Sequence, residues 1–180
     1  MSPGWPGAVT LALALTPVAD AHRPLDGGTE TEISDPTISW FVEGELTPGA
    51  VHEIHLELPR DFALPFELMV PHQSRYADWR PAYAVVGPGL PPPTDAERAA
   101  LPRAIPDGEG AYVDLNDDPE REVYFEDVLR RTYWSSGTIA LPLRAGDNHV
   151  WVWDPRGGEG PYGVGFGVEE DFGFGGGGDR

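Results

Sequence analysis

Apolar and polar residues alternate along this chain in short runs, and turn residues separate the runs. Val51–Leu58 (VHEIHLEL) sets His52, Ile54, Leu56 and Leu58 on one face of a strand and Glu53, His55 and Glu57 on the other, because successive strand side chains point to opposite sides. His149–Trp153 (HVWVW) alternates as cleanly, with His149, Trp151 and Trp153 on one face and Val150 and Val152 on the other. Similar runs fall at Ile38–Glu45, Pro65–Val70, Pro81–Val86, Ala111–Leu115, Glu122–Phe125, Tyr133–Trp134, Gly137–Leu143 and Tyr162–Val168, punctuated by turns such as Thr47-Pro48-Gly49 and Gly87-Pro88-Gly89. The pattern predicts an all-β fold, a β-sandwich or jelly-roll of about nine short antiparallel strands. One short helix is predicted at Thr94–Ala100, in a long loop. Thr94 opens it, and Glu97 three residues on completes a capping box.

Composition refines this into an organisation. The apolar run Ala8–Ala19, followed by the small-x-small triplet Ala19-Asp20-Ala21, reads as an export signal over residues 1–21. The run is too short to cross a bilayer. An extended lead-in at 22–37, a sandwich domain at 38–172 and a flexible Gly-rich tail at 173–180 follow. The expected location is periplasmic or extracellular, without a stable membrane anchor. There is no cysteine, which excludes disulfides, thiolate metal sites and a lipidated cysteine. The net charge of −18 argues against nucleic acid as a partner, since phosphate contacts need a basic surface.

Candidate chemistry is sparse. Trp79, Trp134, Trp151 and Trp153 could form an aromatic platform for a glycan ring; Trp151 and Trp153 belong either to such a platform or to the sandwich core. Asp114, Asn116, Asp118 and Glu120 place oxygen ligands at alternate positions, as a calcium loop does. The loop is not an EF-hand, because Pro119 and Phe125 stand where that motif needs Gly and Glu. The alternative reading is an acidic turn between strands. His52 and His55 fall on opposite faces of a strand and cannot chelate together. Cleavage after Ala21 would make His22 the first residue, able to hold copper through its amine and imidazole with His72 or His149 as second ligand. No serine lies in a G-x-S-x-G elbow.

Three stretches form a set: Gly44–Leu46 with Val51–Glu57; Arg80–Pro91; and Gly146–Pro155 followed by Gly160–Gly167. Together they resemble uncharacterised exported bacterial β-sandwich proteins similar to the pre-peptidase C-terminal domain. The resemblance covers roughly residues 38–172 and implies a non-catalytic accessory module, with no catalytic residues to carry over. The expectation from sequence is therefore an exported binding module for a protein or glycan. The alternative is a copper-binding protein or oxidoreductase built on His22.

Overall fold

The computed structural model of the protein describes residues 23–127 and 129–167. The expected leader 1–21, His22 and the tail 173–180 lie outside the described residues. Twelve strands form among the described residues: β1 (Arg23–Asp26), β2 (Glu30–Ile33), β3 (Trp40–Leu46), β4 (Val51–Leu58), β5 (Phe62–Pro71), β6 (Ala82–Gly87), β7 (Gly110–Asp114), β8 (Glu122–Glu126), β9 (Arg131–Ser135), β10 (Ile139–Leu143), β11 (Gly146–Trp153) and β12 (Gly160–Phe166). One helix, α1 (Asp95–Ala100), lies between β6 and β7. Thr94 caps it, with the Glu97 side chain closing the box that the sequence predicts.

The strands make two sheets. The larger runs β1-β3-β12-β5-β9-β8, with β10 also paired to β5, and the smaller runs β2-β4-β11-β6-β7. The fold is the expected all-β sandwich. It differs from the expectation in strand number and in two parallel pairings, β1 with β3 and β2 with β4. Both arise in the predicted lead-in. There the chain lays one short strand on each sheet, separated by Gly27-Gly28 and a bend at Thr29.

The inner faces bury the alternating apolar residues. Val42 and Leu46 of β3, Leu68 and Val70 of β5, and Val164 and Phe166 of β12 meet Ile54 and Leu56 of β4, Val85 of β6, and Val150 and Val152 of β11. Removing this apolar area from water is the main favourable term in folding such a sandwich. Strand β6 is buried at every position. Its Tyr83 and Val85 join the main core, while Ala82, Ala84 and Val86 form a second cluster with Ala111, Trp151 and Trp153. Leu101 and Ile105, in the loop after α1, pack onto this second cluster. The smaller sheet is thus apolar on both faces over β6 and β11, and the β6–β7 connection covers it. The backbone approach is close: a Cβ on Gly110 would stand 2.0 Å from the Leu90 carbonyl oxygen.

One polar contact crosses the main core. His52 Nδ1 on β4 lies 2.9 Å from the Tyr162 hydroxyl on β12, and the two residues are 7% and 2% exposed. Gly44 is the register partner of Tyr162 and leaves room for its ring, since a Cβ there would lie 2.5 Å from the phenol oxygen. Burial holds the His52 pKa below the usual 6.5 because a low-dielectric setting disfavours the imidazolium.

Two outcomes follow from this contact. Gly44→Ala should push the Tyr162 ring out of place and cost about 1–3 kcal/mol by overpacking; an unchanged denaturation midpoint would contradict it. For His52 the folded pKa is the depressed one, so the unfolded chain binds its proton more readily as pH falls. Its contribution is present above pH 6.5 and is lost below it. The stability advantage of the wild type over His52→Gln, followed by urea unfolding across a pH series, should shrink as pH drops through that region. An advantage that stays constant or grows would contradict this.

Candidate functional site

The four tryptophans do not share a surface. Trp79 is 8% exposed, donates its Nε1–H to the Pro161 carbonyl at 2.8 Å and rests on Gly160. Trp134 is half-buried at the margin of the main core, 4.5 Å from the His72 ring. The Arg121 guanidinium stands 4.4 Å over its ring. Trp151 and Trp153 are 3% and 4% exposed, so neither ring offers a face to a sugar. They are core residues, but of the second cluster beneath Leu101 and Ile105. Alternation sorts residues by face; it does not tell which cover each face receives.

Asp114, Asn116, Asp118 and Glu120 do line one shared pocket of about 170 Å³, with Arg121, Glu122 and Ser135–Gly137. Within it the loop is internally bonded. The Asp114 carboxylate accepts from the Asn116 backbone N–H at 2.7 Å, and Asp118 accepts from the Glu120 N–H at 2.8 Å. Asn116 sits at φ 51°, a left-handed position that asparagine tolerates, and donates its Nδ2–H to the Pro81 carbonyl at 3.1 Å. Burial raises the Asp114 pKa above the ordinary carboxylate range. Arg121 places a cation in the same pocket. It donates to the Trp79 and Ala77 carbonyls at 3.0 and 2.7 Å, and burial lowers its pKa to about 10. Two of the spaced carboxylates make side-chain-to-backbone turns. Among the described residues there is no group of three or more His, Asp or Glu side chains placed to hold a metal ion.

The copper reading rests on His22, which lies outside the described residues, so the structure describes only its two candidate second ligands. His72 is exposed just after β5; His149 lies on β11, on the outer face of the other sheet, and the two are not brought together. Instead the β4–β11 register sets His149 opposite His55. Their rings stack with centroids 5.1 Å apart. His55 Nδ1 lies 2.6 Å from Glu32 of β2, and its Nε2 lies 3.4 Å from Asp147. His149 Nδ1 lies 2.8 Å from Glu53 Oε1. The other oxygen of Glu53 is 2.7 Å from Arg103, whose guanidinium covers Trp151 at 4.6 Å. The hydrogen bond to Glu32 raises the His55 pKa. Glu30, Thr31, Glu32, Glu53, His55 and His149 line a pocket of about 300 Å³. The signal for this cluster is in the sequence, since alternation puts Glu53 with His55 and His149 with Trp151. What the sequence lacks is the pairing of β4 with β11.

A second feature escapes sequence reasoning altogether. Among the described residues, strand β8 stands last in the order of the larger sheet and is paired with β9. Its Val123 and Phe125 are 60% and 48% exposed, the exposed large hydrophobics among the described residues. Val123 is in register with Trp134 and Phe125 with Thr132. Trp134 packs on the main core, so both side chains share the face that looks toward the smaller sheet. Exposed carboxylates flank the strand at Asp118, Glu120, Glu122 and Asp127. The turn into β9 is closed by Glu126, wholly buried, whose carboxylate accepts from the Leu129 backbone N–H.

No family model and no curated protein matches the chain. The resemblance to the pre-peptidase C-terminal domain therefore rests on the stretches quoted above alone. Among solved structures, the chain is similar to the crystal structure of Aeromonas hydrophila PliG, a periplasmic lysozyme inhibitor of g-type lysozyme. Identity is 14%, over 83% of this chain and 100% of that one, with a TM-score of 0.40. At that score the likeness transfers neither a residue role nor an activity.

Proposed function

We propose that the protein is a non-catalytic, exported module that binds a basic protein partner along strand β8, on the side away from β9. The observation that carries this reading is the apolar pair Val123 and Phe125, 60% and 48% exposed on a terminal strand. Among the described residues β8 is paired with β9 and no further strand; the outer side of a terminal strand offers backbone donors and acceptors to an incoming strand, and alternate apolar side chains give that strand a grip. The carboxylates around it and the net charge of −18 select a cationic partner and speed its approach. A second copy of this chain is disfavoured, because it would bring Glu122 and its neighbours against their own kind. A glycan platform has less support, with Trp79, Trp151 and Trp153 all under a tenth exposed. Export is supported by the apolar run Ala8–Ala19 and the triplet that follows it.

The test uses a fluorescein-labelled peptide of alternating Lys and Val, followed by anisotropy. It should bind the wild type, weaken as salt is added, and bind the Val123→Ser/Phe125→Ser variant about tenfold less or worse, a factor worth ~1.4 kcal/mol. Both side chains are exposed, so the variant should melt as the wild type does. Equal binding by the variant, equal binding of the matching Glu/Val peptide, or dimerisation through β8 would overturn the proposal.

A further inference from the structure

We infer that the pocket between Arg80 and Arg156, at one end of the smaller sheet, is a binding site for a carboxylate carried on an apolar body, such as the C-terminus of a peptide that ends in leucine. The site is separate from the outer side of β8. Arg80 stands just before β6 and Arg156 just after β11. Those strands are antiparallel neighbours with Trp153 opposite Ala82, so the register brings the two arginines to the same end of the sheet. Leu115, Pro119 and Pro155 add apolar walls, and the pocket measures about 420 Å³. That volume is in the range of small-ligand pockets.

Three guanidinium groups gather here, in a chain with 30 acidic residues and only 12 arginines. Arg80 donates from Nη1 to the Ala77 carbonyl at 3.0 Å. Arg121 donates to the same oxygen at 2.7 Å and to the Trp79 carbonyl at 3.0 Å. Arg156 donates from Nη2 to the Arg80 carbonyl at 2.8 Å and from Nε to the Asp154 carboxylate at 3.3 Å. Among the described residues neither Arg80 nor Arg121 forms an ion pair with a carboxylate; their partners are backbone carbonyls. The contacts within the fold leave Nε and Nη2 of Arg80 and Nη1 of Arg156 for a ligand. The planar fork of a guanidinium matches the two oxygens of a carboxylate.

Charge and lining select the ligand. Burial, and then the charge of Arg80, lower the Arg121 pKa to about 10. The arginines therefore repel one another, and an anion set beside Arg80 offsets that repulsion. Asp117 also lines the pocket, and Asp154, 4% exposed, already balances part of the Arg156 charge. The positive excess is small, so a single negative charge suits it better than a phosphate dianion. The side chains of Leu115, Pro119 and Pro155 offer no hydrogen bonds, so an apolar body fits behind the carboxylate. A clamp that only held residues 77–80 in place would make the same internal bonds and would not distinguish a carboxylate from its amide.

The experiment is calorimetric titration of the full chain with the peptide acetyl-Gly-Ser-Gly-Leu-Leu at about pH 7, where its terminal carboxyl is ionised. The same peptide capped as an amide is titrated beside it. The acid should bind, and the amide should bind about tenfold more weakly or worse. Arg80→Gln and Arg156→Gln should each weaken the acid about tenfold. Asp117→Asn should tighten it, and Arg98→Gln on α1 should leave it unchanged. Arg80→Gln also removes a bond to the Ala77 carbonyl, so Pro119→Glu supplies a second reading. It keeps every arginine, adds a carboxylate at the pocket wall, and should weaken the acid more than the amide. No binding of the acid, equal binding of acid and amide, acid binding that survives both arginine substitutions, or tighter binding of inorganic phosphate would overturn the inference.

Discussion

The position of β11 between β4 and β6 is the constraint on which the rest of the molecule depends. Its register against both neighbours sends Val150 and Val152 into the sandwich and Trp151 and Trp153 to the opposite side. A slip of one residue would exchange the two sets, putting indoles in a core built for valines. The outward tryptophans then require a cover, and the β6–β7 connection supplies it with Leu101 and Ile105. The same register sets His149 against His55. One pairing therefore determines the main core, the second cluster and the histidine cluster together.

The polar groups divide by face in the same way. His52 and His55 are three residues apart on one strand, and their surroundings are opposite. His52 enters the core, meets Tyr162 across the sheets and is held neutral by burial. His55 stays on the wet face among carboxylates, where its protonated form is favoured. At the margin of the larger sheet, β8 keeps Val123 and Phe125 exposed among the described residues. The acidic surface keeps this edge soluble and repels copies of itself. It leaves the strand open to a chain of opposite charge.

Much of the fold is legible in the sequence where periodicity is strong. Val51–Leu58 predicts its own buried face, and Thr94 with Glu97 predicts the helix start. β1 and β2 are not legible because they are four residues each and mostly polar, so they carry no apolar period. Parallel pairing at the sheet edges secures them instead. The spacing of Asp114 through Glu120 is visible as a ligand pattern, but the backbone N–H groups that engage two of those carboxylates are not. The exposure of Val123 and Phe125 depends on where β8 falls in the sheet order, which no single strand encodes. The pairing of His55 with His149 depends on which strands meet, and that is decided by packing.

The central claim is that β8 receives a basic strand on the side away from β9. Backbone amide hydrogen exchange, measured with and without the alternating Lys/Val peptide, tests it most directly. An added strand would satisfy the amides of β8 that point away from β9. The account predicts slowed exchange confined to Glu122–Glu126, with the edges at β1, β2 and β7 unchanged. Protection at one of those other edges, or none along β8 while the peptide is bound, would contradict it.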